Sequence, residues 1–153
     1  MPVDVFLQYV QDGKWQDDVI GVHTGKKSKS DIPYVTLSGK FSERKVSGLI
    51  SHSGFLCMDV DDVDDPNEMK SILCADKYVY AAFVSVSGKG LAVLFKINPD
   101  KHLEAFEGLQ EYLFTQYEII TDPSCKDVSR PRYVSYDPHL YLNTHAEKFT
   151  QYP

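Results

Sequence analysis

The stretch "YVYAAFVSVSGKGLAVLFKI", Tyr78 to Ile97, decides what kind of fold this chain builds. Two runs rich in β-branched and aromatic residues, Tyr78–Ser85 and Leu91–Ile97, flank Ser87-Gly88-Lys89-Gly90. Such residues suit a pleated, packed surface, and a short Gly-rich link between them reads as a hairpin turn. On the C-terminal side, Asn98-Pro99-Asp100 opens a helix, where Leu103, Phe106, Leu109, Leu113 and Tyr117 recur at helical spacing as one apolar stripe. On the N-terminal side, Asp65-Pro66 is a helix start, with Asp as cap and Pro at the first helical position. Asn67–Ala75 follows it, with Met69, Ile72 and Leu73 on one face. A strand precedes that helix in the latter half of Leu49–Met58, and a final strand is expected at Ile119–Thr121 or at Tyr133–Tyr136.

The resulting string is β-α-β-β-α-β, which predicts an α+β fold with a ferredoxin-like or RRM-like core over about residues 53–136. The chain then divides as a single domain into an N-terminal layer at 1–50, the core at 51–137 and a tail at 138–153. The additional N-terminal α/β layer is expected to hold a strand at Asp4–Val10 and a polar turn or helix start at Gln11–Asp17. A Gly/Lys/Ser loop at Gly21–Asp31 and a short β piece at Tyr34–Leu37 complete it. The tail is expected to be ordered but irregular. No internal repeat or low-complexity tract interrupts the chain.

Composition bounds what such a domain can do. With 153 residues, 42% of them hydrophobic, one domain has room for a core. No apolar run approaches the roughly 18–20 residues of a membrane span, and the N-terminus lacks a signal-peptide pattern. Cys57, Cys74 and Cys125 are odd in number and form no CxxC pair, which predicts buried thiols in a reduced, cytoplasmic protein and no zinc site. The net charge of −6 argues against a protein that coats nucleic acid electrostatically. That charge is uneven. Lys26, Lys27, Lys29, Lys40, Arg44 and Lys45 face only Asp31 and Glu43 in their segment, a local balance of +4. Lys126, Arg130 and Arg132 form a second basic group.

The acids concentrate in "GFLCMDVDDVDD", Gly54 to Asp65, where a hydrophobic run meets five aspartates within seven residues. On a strand, residues i and i+2 share a face at roughly 6.5–7 Å. Asp59 and Asp61 are therefore expected to project together, with Val60 and Cys57 excluded from their face. Adjacent carboxylates repel and demand a cation; with oxygen ligands, Mg²⁺ or Mn²⁺ is the natural one. The competing role is a solvated acidic turn capping the helix at Pro66, which accounts for Asp64 and Asp65. An EF-hand fails, because Asp64 stands where Gly is needed and Lys70 where Glu is needed.

Two further segments carry chemistry. The amides of Ser87-Gly88-Lys89-Gly90 can line an anion site, although such turns also simply turn. A P-loop is excluded; the near miss "GVHTGKKS", Gly21–Ser28, has the wrong spacing. In "TDPSCKDVSRPRYVSYDPHLYLN", Thr121–Asn143, Asp122 and Asp127 bracket a loop before Arg130 and Arg132. Alternating arginines suit phosphate or carboxylate clamping, or a surface salt-bridge network. No Ser/His/Asp grouping and no HxH pair stands out among the five histidines.

Taken together, "DIPYVTLSGKF", "HSGFLCMDVDD", "SVSGKGLAVLFKI" and "DPSCKDVSRPRYVSYDPHLYLN" resemble the VirE N-terminal-like family, placed in the archaeo-eukaryotic primase (primase-polymerase) superfamily of bacterial and phage mobile elements. The resemblance covers the chain from about Asp31 onward. It implies an RRM-like catalytic core and nucleotidyl transfer, in which a 3′-hydroxyl attacks the α-phosphate of a nucleoside triphosphate and pyrophosphate leaves. It implies Mg²⁺ or Mn²⁺ on Asp59, Asp61 and a third carboxylate, Asp122 or its rival Asp127. Ser87, Gly88, Lys89, Gly90, Arg130 and Arg132 would hold nucleotide or template phosphates. The implied partners are nucleoside triphosphates, DNA or RNA, and a helicase-like domain in cis or in trans, of whose longer primase-helicase protein this chain would be a fragment. The chain departs from the pattern at Ala92, where the superfamily commonly has His; without that imidazole, the alternative is a catalytically weakened or inactive binding module. The Ser87–Gly90 turn is expected at the end of the sheet opposite Asp59 and Asp61.

Overall fold

The computed structural model describes all residues, 1–153. The chain begins with two helices, α1 (Val3–Asp12) and α2 (Gln16–His23). Asp4–Val10 is thus helical and not a strand. Phe6, Leu7 and Val10 are its buried residues, and their spacing of one and four places them on one helical face. Their β-favouring types mislead only when the spacing is ignored. Gly13, at φ 88°, ends the helix in the left-handed conformation, and its N–H donates to the Tyr9 carbonyl.

Short strands follow: β1 (Tyr34–Val35), β2 (Gly39–Phe41) and β3 (Leu49–His52), with β2 and β3 forming an antiparallel hairpin. The segment Leu49–Met58, expected to hold one strand, holds β3 and then β4 (Phe55–Val60), parted at Ser53-Gly54 where Gly54 takes φ 82°. Helix α3 (Pro66–Leu73) begins as expected: the Asp65 carboxylate accepts from the Glu68 N–H at 3.0 Å, with Pro66 in the first turn. Strands β5 (Val79–Val84) and β6 (Leu91–Lys96) form the predicted hairpin. Helix α4 (His102–Tyr117) buries Phe106, Leu109 and Leu113, but Leu103 is half exposed and Ala105 takes its place in the core.

The class is α+β, and from Phe55 the order β-α-β-β-α matches the expected string. The closing strand does not. The main sheet is antiparallel with order β4-β6-β5-β8, where β8 (Tyr141–Leu142) lies in the tail expected to be irregular. Of the two expected segments, Ile119–Thr121 forms no ladder; the Asp122 N–H that follows it makes one bond, 2.9 Å, to the Asp59 carbonyl on the rim of β4. Tyr133 joins β7 (Arg132–Tyr133), which pairs with β1 in a separate two-stranded ladder. Beyond β8's two residues, the rim of β5 is finished by side chains. Ser135 Oγ donates to the Val84 carbonyl at 2.7 Å, and the Val84 N–H donates to Asp137 at 2.9 Å.

Both faces of the sheet are packed. Leu56, Met58, Val60, Val93 and Phe95 meet Leu73 of α3 and Phe106, Leu109 and Leu113 of α4. On the other face Tyr80, Phe83, Ala92 and Leu94 meet Phe6, Leu7 and Val10 of α1 and Val19 of α2. Strand alternation creates the two sets. No helix is long and apolar enough to cross a membrane.

Candidate functional site

Asp59 is the hub of the site. It sits one residue before the end of β4, 5% exposed, on the face packed against the N-terminal layer. Cys57, expected on the opposite face, shares that of Asp59, because positions two apart on a strand point the same way. Burial pushes the Cys57 thiol up to about 11, so it stays protonated at neutral pH.

Two guanidiniums neutralise the buried carboxylate. Arg130 places Nε and Nη2 at 3.1 and 2.9 Å from Asp59 Oδ2, and Arg132 donates through Nη2 to Oδ1. Arg130 Nη2 also reaches Asp122 Oδ2 at 3.0 Å, so one nitrogen bridges the two aspartates. Arg130 Nη1 in turn donates to Ser124 Oγ. Sequence supplies this geometry locally: "DPS" folds as a short 3₁₀ turn, Pro123–Lys126, capped by Asp122, whose Oδ1 accepts from the Ser124 N–H at 2.9 Å and hydroxyl at 2.6 Å. The Ser124 hydroxyl, its amide and the Arg130 guanidinium together hold the Asp122 carboxyl below its ordinary range against the opposing effect of burial.

Asp61 follows β4 and takes part in none of the ion pairs. Partial burial, then the negative charges of Asp59 and Asp122, raise its pKa. Asp59, Asp61, Arg130 and Arg132 line one cleft of about 200 Å³, shared with Lys29, Ser87 and Tyr133. Asp122 joins through its ion pair with Arg130. Asp127 does not join: its carboxylate accepts from the Ser129 amide at 2.9 Å and hydroxyl at 2.7 Å, and it does not line the cleft.

The hairpin turn lies at the same end of the sheet as the aspartates, contrary to expectation. Strand β6 runs antiparallel to β4, pairing Val60 with Leu91, and the Val63 N–H donates to the Lys89 carbonyl at 2.8 Å. Gly90 is packed so closely that a Cβ would lie 2.9 Å from both Ser85 Oγ and the Val60 carbonyl. Of the turn residues, Ser87 lines the cleft, whereas Gly88, Lys89 and Gly90 do not. Ala92 lies directly across from Asp59 in the ladder.

As placed, no three His, Cys, Asp or Glu side chains are gathered closely enough to hold a metal ion. The donors are hard oxygens suited to Mg²⁺ or Mn²⁺. In this arrangement, however, the place between Asp59 and Asp122 is taken by the Arg130 guanidinium.

Sequence reasoning assigned no site role to Ser124 or Tyr133, marked Lys29 only as part of the basic segment, and missed a buried ion pair. Lys70 Nζ lies 2.7 Å from Asp137 Oδ2, with both residues about 95% buried. The signals were present: Lys70 interrupts the apolar face of α3, and Asp137 follows the "YVSY" run.

An α+β domain with a charge-compensated carboxylate–guanidinium cleft at one end of its main sheet is thus defined. The chain belongs to the family described as "BT4734-like, N-terminal domain", whose model matches residues 27–142. That match overturns the resemblance to the VirE N-terminal-like family and leaves its superfamily placement without support. No curated protein and no solved structure matches the chain.

Proposed function

We propose that the cleft binds a nucleoside triphosphate with Mg²⁺ or Mn²⁺, and that the domain is a nucleotidyltransferase working on DNA or RNA. The observation that carries this is the convergence of Asp59, Asp61 and Asp122 with Arg130 and Arg132 at one end of the sheet. Carboxylates alone would suit a bare cation and guanidiniums alone a bare phosphate. Their union suits a ligand carrying both charges.

At rest the two guanidiniums are paired with Asp59 and Asp122. On ligand binding Arg130 would leave Asp59 and Asp122 for phosphate oxygens, and those two carboxylates would be the ones to hold a cation. Arg130 is the more exposed of the two, its side chain at 30% against 13% for Arg132. A dication held there would supply neutralisation of the charge developing on the transferred phosphoryl group. In the transfer, a sugar hydroxyl oxygen bonds to the α-phosphorus, the bond from that phosphorus to the α–β bridging oxygen breaks, and pyrophosphate departs. Asp61, which lines the cleft and takes part in no ion pair, is placed to receive the hydroxyl proton.

The test is calorimetric titration with Mn²⁺ and ATP, followed by primer synthesis and extension assays. Asp61→Asn is the variant of choice, since Asp61 holds no ion pair that its loss would break. Expected is binding by the wild type and at least about a hundredfold loss of extension in the variant. No binding at millimolar Mn²⁺–ATP, or extension unchanged by Asp61→Asn with Asp122→Asn, refutes the proposal.

A second reading, binding without turnover, is favoured by the double engagement of Asp59 by guanidiniums. It predicts the same calorimetric signal with no extension.

A further inference from the structure

We infer that β1, β7 and the β2–β3 hairpin form a track for single-stranded nucleic acid leading into the cleft. The inference rests on the reading of the cleft as a nucleotide site and names the surface by which a strand would reach it. Tyr34 and Tyr133 are cross-strand partners, their ring centroids 6.4 Å apart and nearly perpendicular. Tyr133 lines the cleft; Tyr34, 49% exposed, lines a neighbouring cavity of about 640 Å³ together with Phe41 and Lys40. The aromatic pair thus sets one ring in the lining of each hollow.

Positive charge accompanies the rings. The Arg44 guanidinium stands over the Tyr34 ring, 5.5 Å from its centroid, Lys40 is exposed on β2, and Lys29 reaches the cleft itself. Glu43 offsets only Lys45, 3.2 Å away. The densest acids, Asp62, Asp64, Asp65, Glu68 and Glu118, rim a groove between α3 and the end of α4 that adjoins the cleft at Asp61, on the side away from Tyr133 and Lys29. A polyanion entering the cleft is thus favoured along the Lys29, Lys40 and Arg44 path and disfavoured along the acidic groove.

Aromatic faces beside a basic path are how proteins hold unpaired strands, since every base offers a face to stack and every linkage a phosphate. A duplex keeps its base faces covered and leaves Tyr34 unused. The rival occupant of this exposed surface is a protein partner, in which case the oligonucleotides would not bind it.

The experiment measures fluorescence anisotropy of labelled 15-nucleotide oligo-dT and oligo-U with the full chain, without metal or nucleotide, and a duplex of equal length as competitor. Expected is preference for single strands and a roughly tenfold weakening by Tyr34→Ala. Lys40→Glu with Arg44→Glu should lower the salt slope by about 0.7 for each phosphate that the side chains cease to neutralise. Tyr34 and Lys40 are surface residues outside the cleft's ion pairs, so these variants fold. Failure of wild type to bind either oligomer, or variants binding as wild type does, overturns the inference. Oligomer binding without Mn²⁺–ATP binding sinks only the catalytic proposal, and Mn²⁺–ATP binding without oligomer binding sinks only the track.

Discussion

Replacing Asp59 tests how the site is held together. Asp59→Asn removes the charge that two guanidiniums share, and they are not equally able to do without it. Arg130 keeps Asp122 at 3.0 Å and can turn to solvent, its side chain 30% exposed. Arg132 cannot: its side chain is 13% exposed, Asp59 is its ion partner, and its Nε already lacks a hydrogen-bond partner. The variant leaves Arg132 as a buried cation facing a neutral amide. Breaking such a pair from one side costs about 3–5 kcal/mol, against a total stability of about 5–15 kcal/mol for a typical domain. For a chain of this size that is a fall in Tm of roughly 6–20 °C. Urea unfolding followed by fluorescence of Trp15, the single tryptophan, reads the loss directly. Adding Arg132→Met should recover a substantial part, because the stranded charge goes with it. A loss below about 1 kcal/mol in Asp59→Asn, or no recovery in the double variant, would refute the picture of Asp59 as the counter-charge that keeps Arg132 buried. A folded fraction is needed before any lost activity of an Asp59 variant is ascribed to chemistry.

Lys70→Met strands Asp137, which keeps the Val84 and His139 amides at 2.9 Å each, so a loss near the lower end of about 3–5 kcal/mol is expected by urea unfolding. Asp137→Asn on that background should restore part of it. Gly108→Ala places a Cβ 2.1 Å from the Gln151 carbonyl, which forces the terminal segment off α4; about 1–3 kcal/mol and faster proteolysis after Phe149 are expected. His52 lies 2.9 Å from His102, and burial, then the charge of His102, lowers its pKa to about 4 against the raising effect of Asp100. The unfolded ring, near 6.5, takes up its proton first, so stability is whole above that value and declines as pH falls toward 4. The half-buried ring is screened, leaving roughly 1–2 kcal/mol, and His52→Gln should flatten this part of the profile.

The hairpin and the Asp65-Pro66 helix start were legible because each rests on local chemistry: β-favouring runs about a Gly-rich turn, and a carboxylate capping an amide beside a proline. Asp4–Val10 reads wrongly as a strand when residue type is weighed over spacing. The last strand was beyond local reading, since Tyr141–Leu142 is two residues long and exists only through its pairing with Ala81 and Ala82. Within the site, the pairing of Asp59 with the arginines depends on contacts across about seventy positions. Segment composition suggested the partners; only the fold chose Asp122 over Asp127, by turning the latter toward Ser129. The side of the sheet on which the Ser87–Gly90 turn falls follows from strand direction alone and could have been derived.

Asp122 has two attachments that answer to different events. Its backbone amide is tied to the sheet rim at the Asp59 carbonyl, while its carboxylate is tied to the guanidinium that ligand binding would draw away. Deuterium uptake at that amide therefore doubles as an internal gauge. A ligand that resets the carboxylate while leaving the rim intact leaves the amide slow to exchange, and one that pries the loop outward makes it fast, reporting from within the chain how far the perturbation spreads.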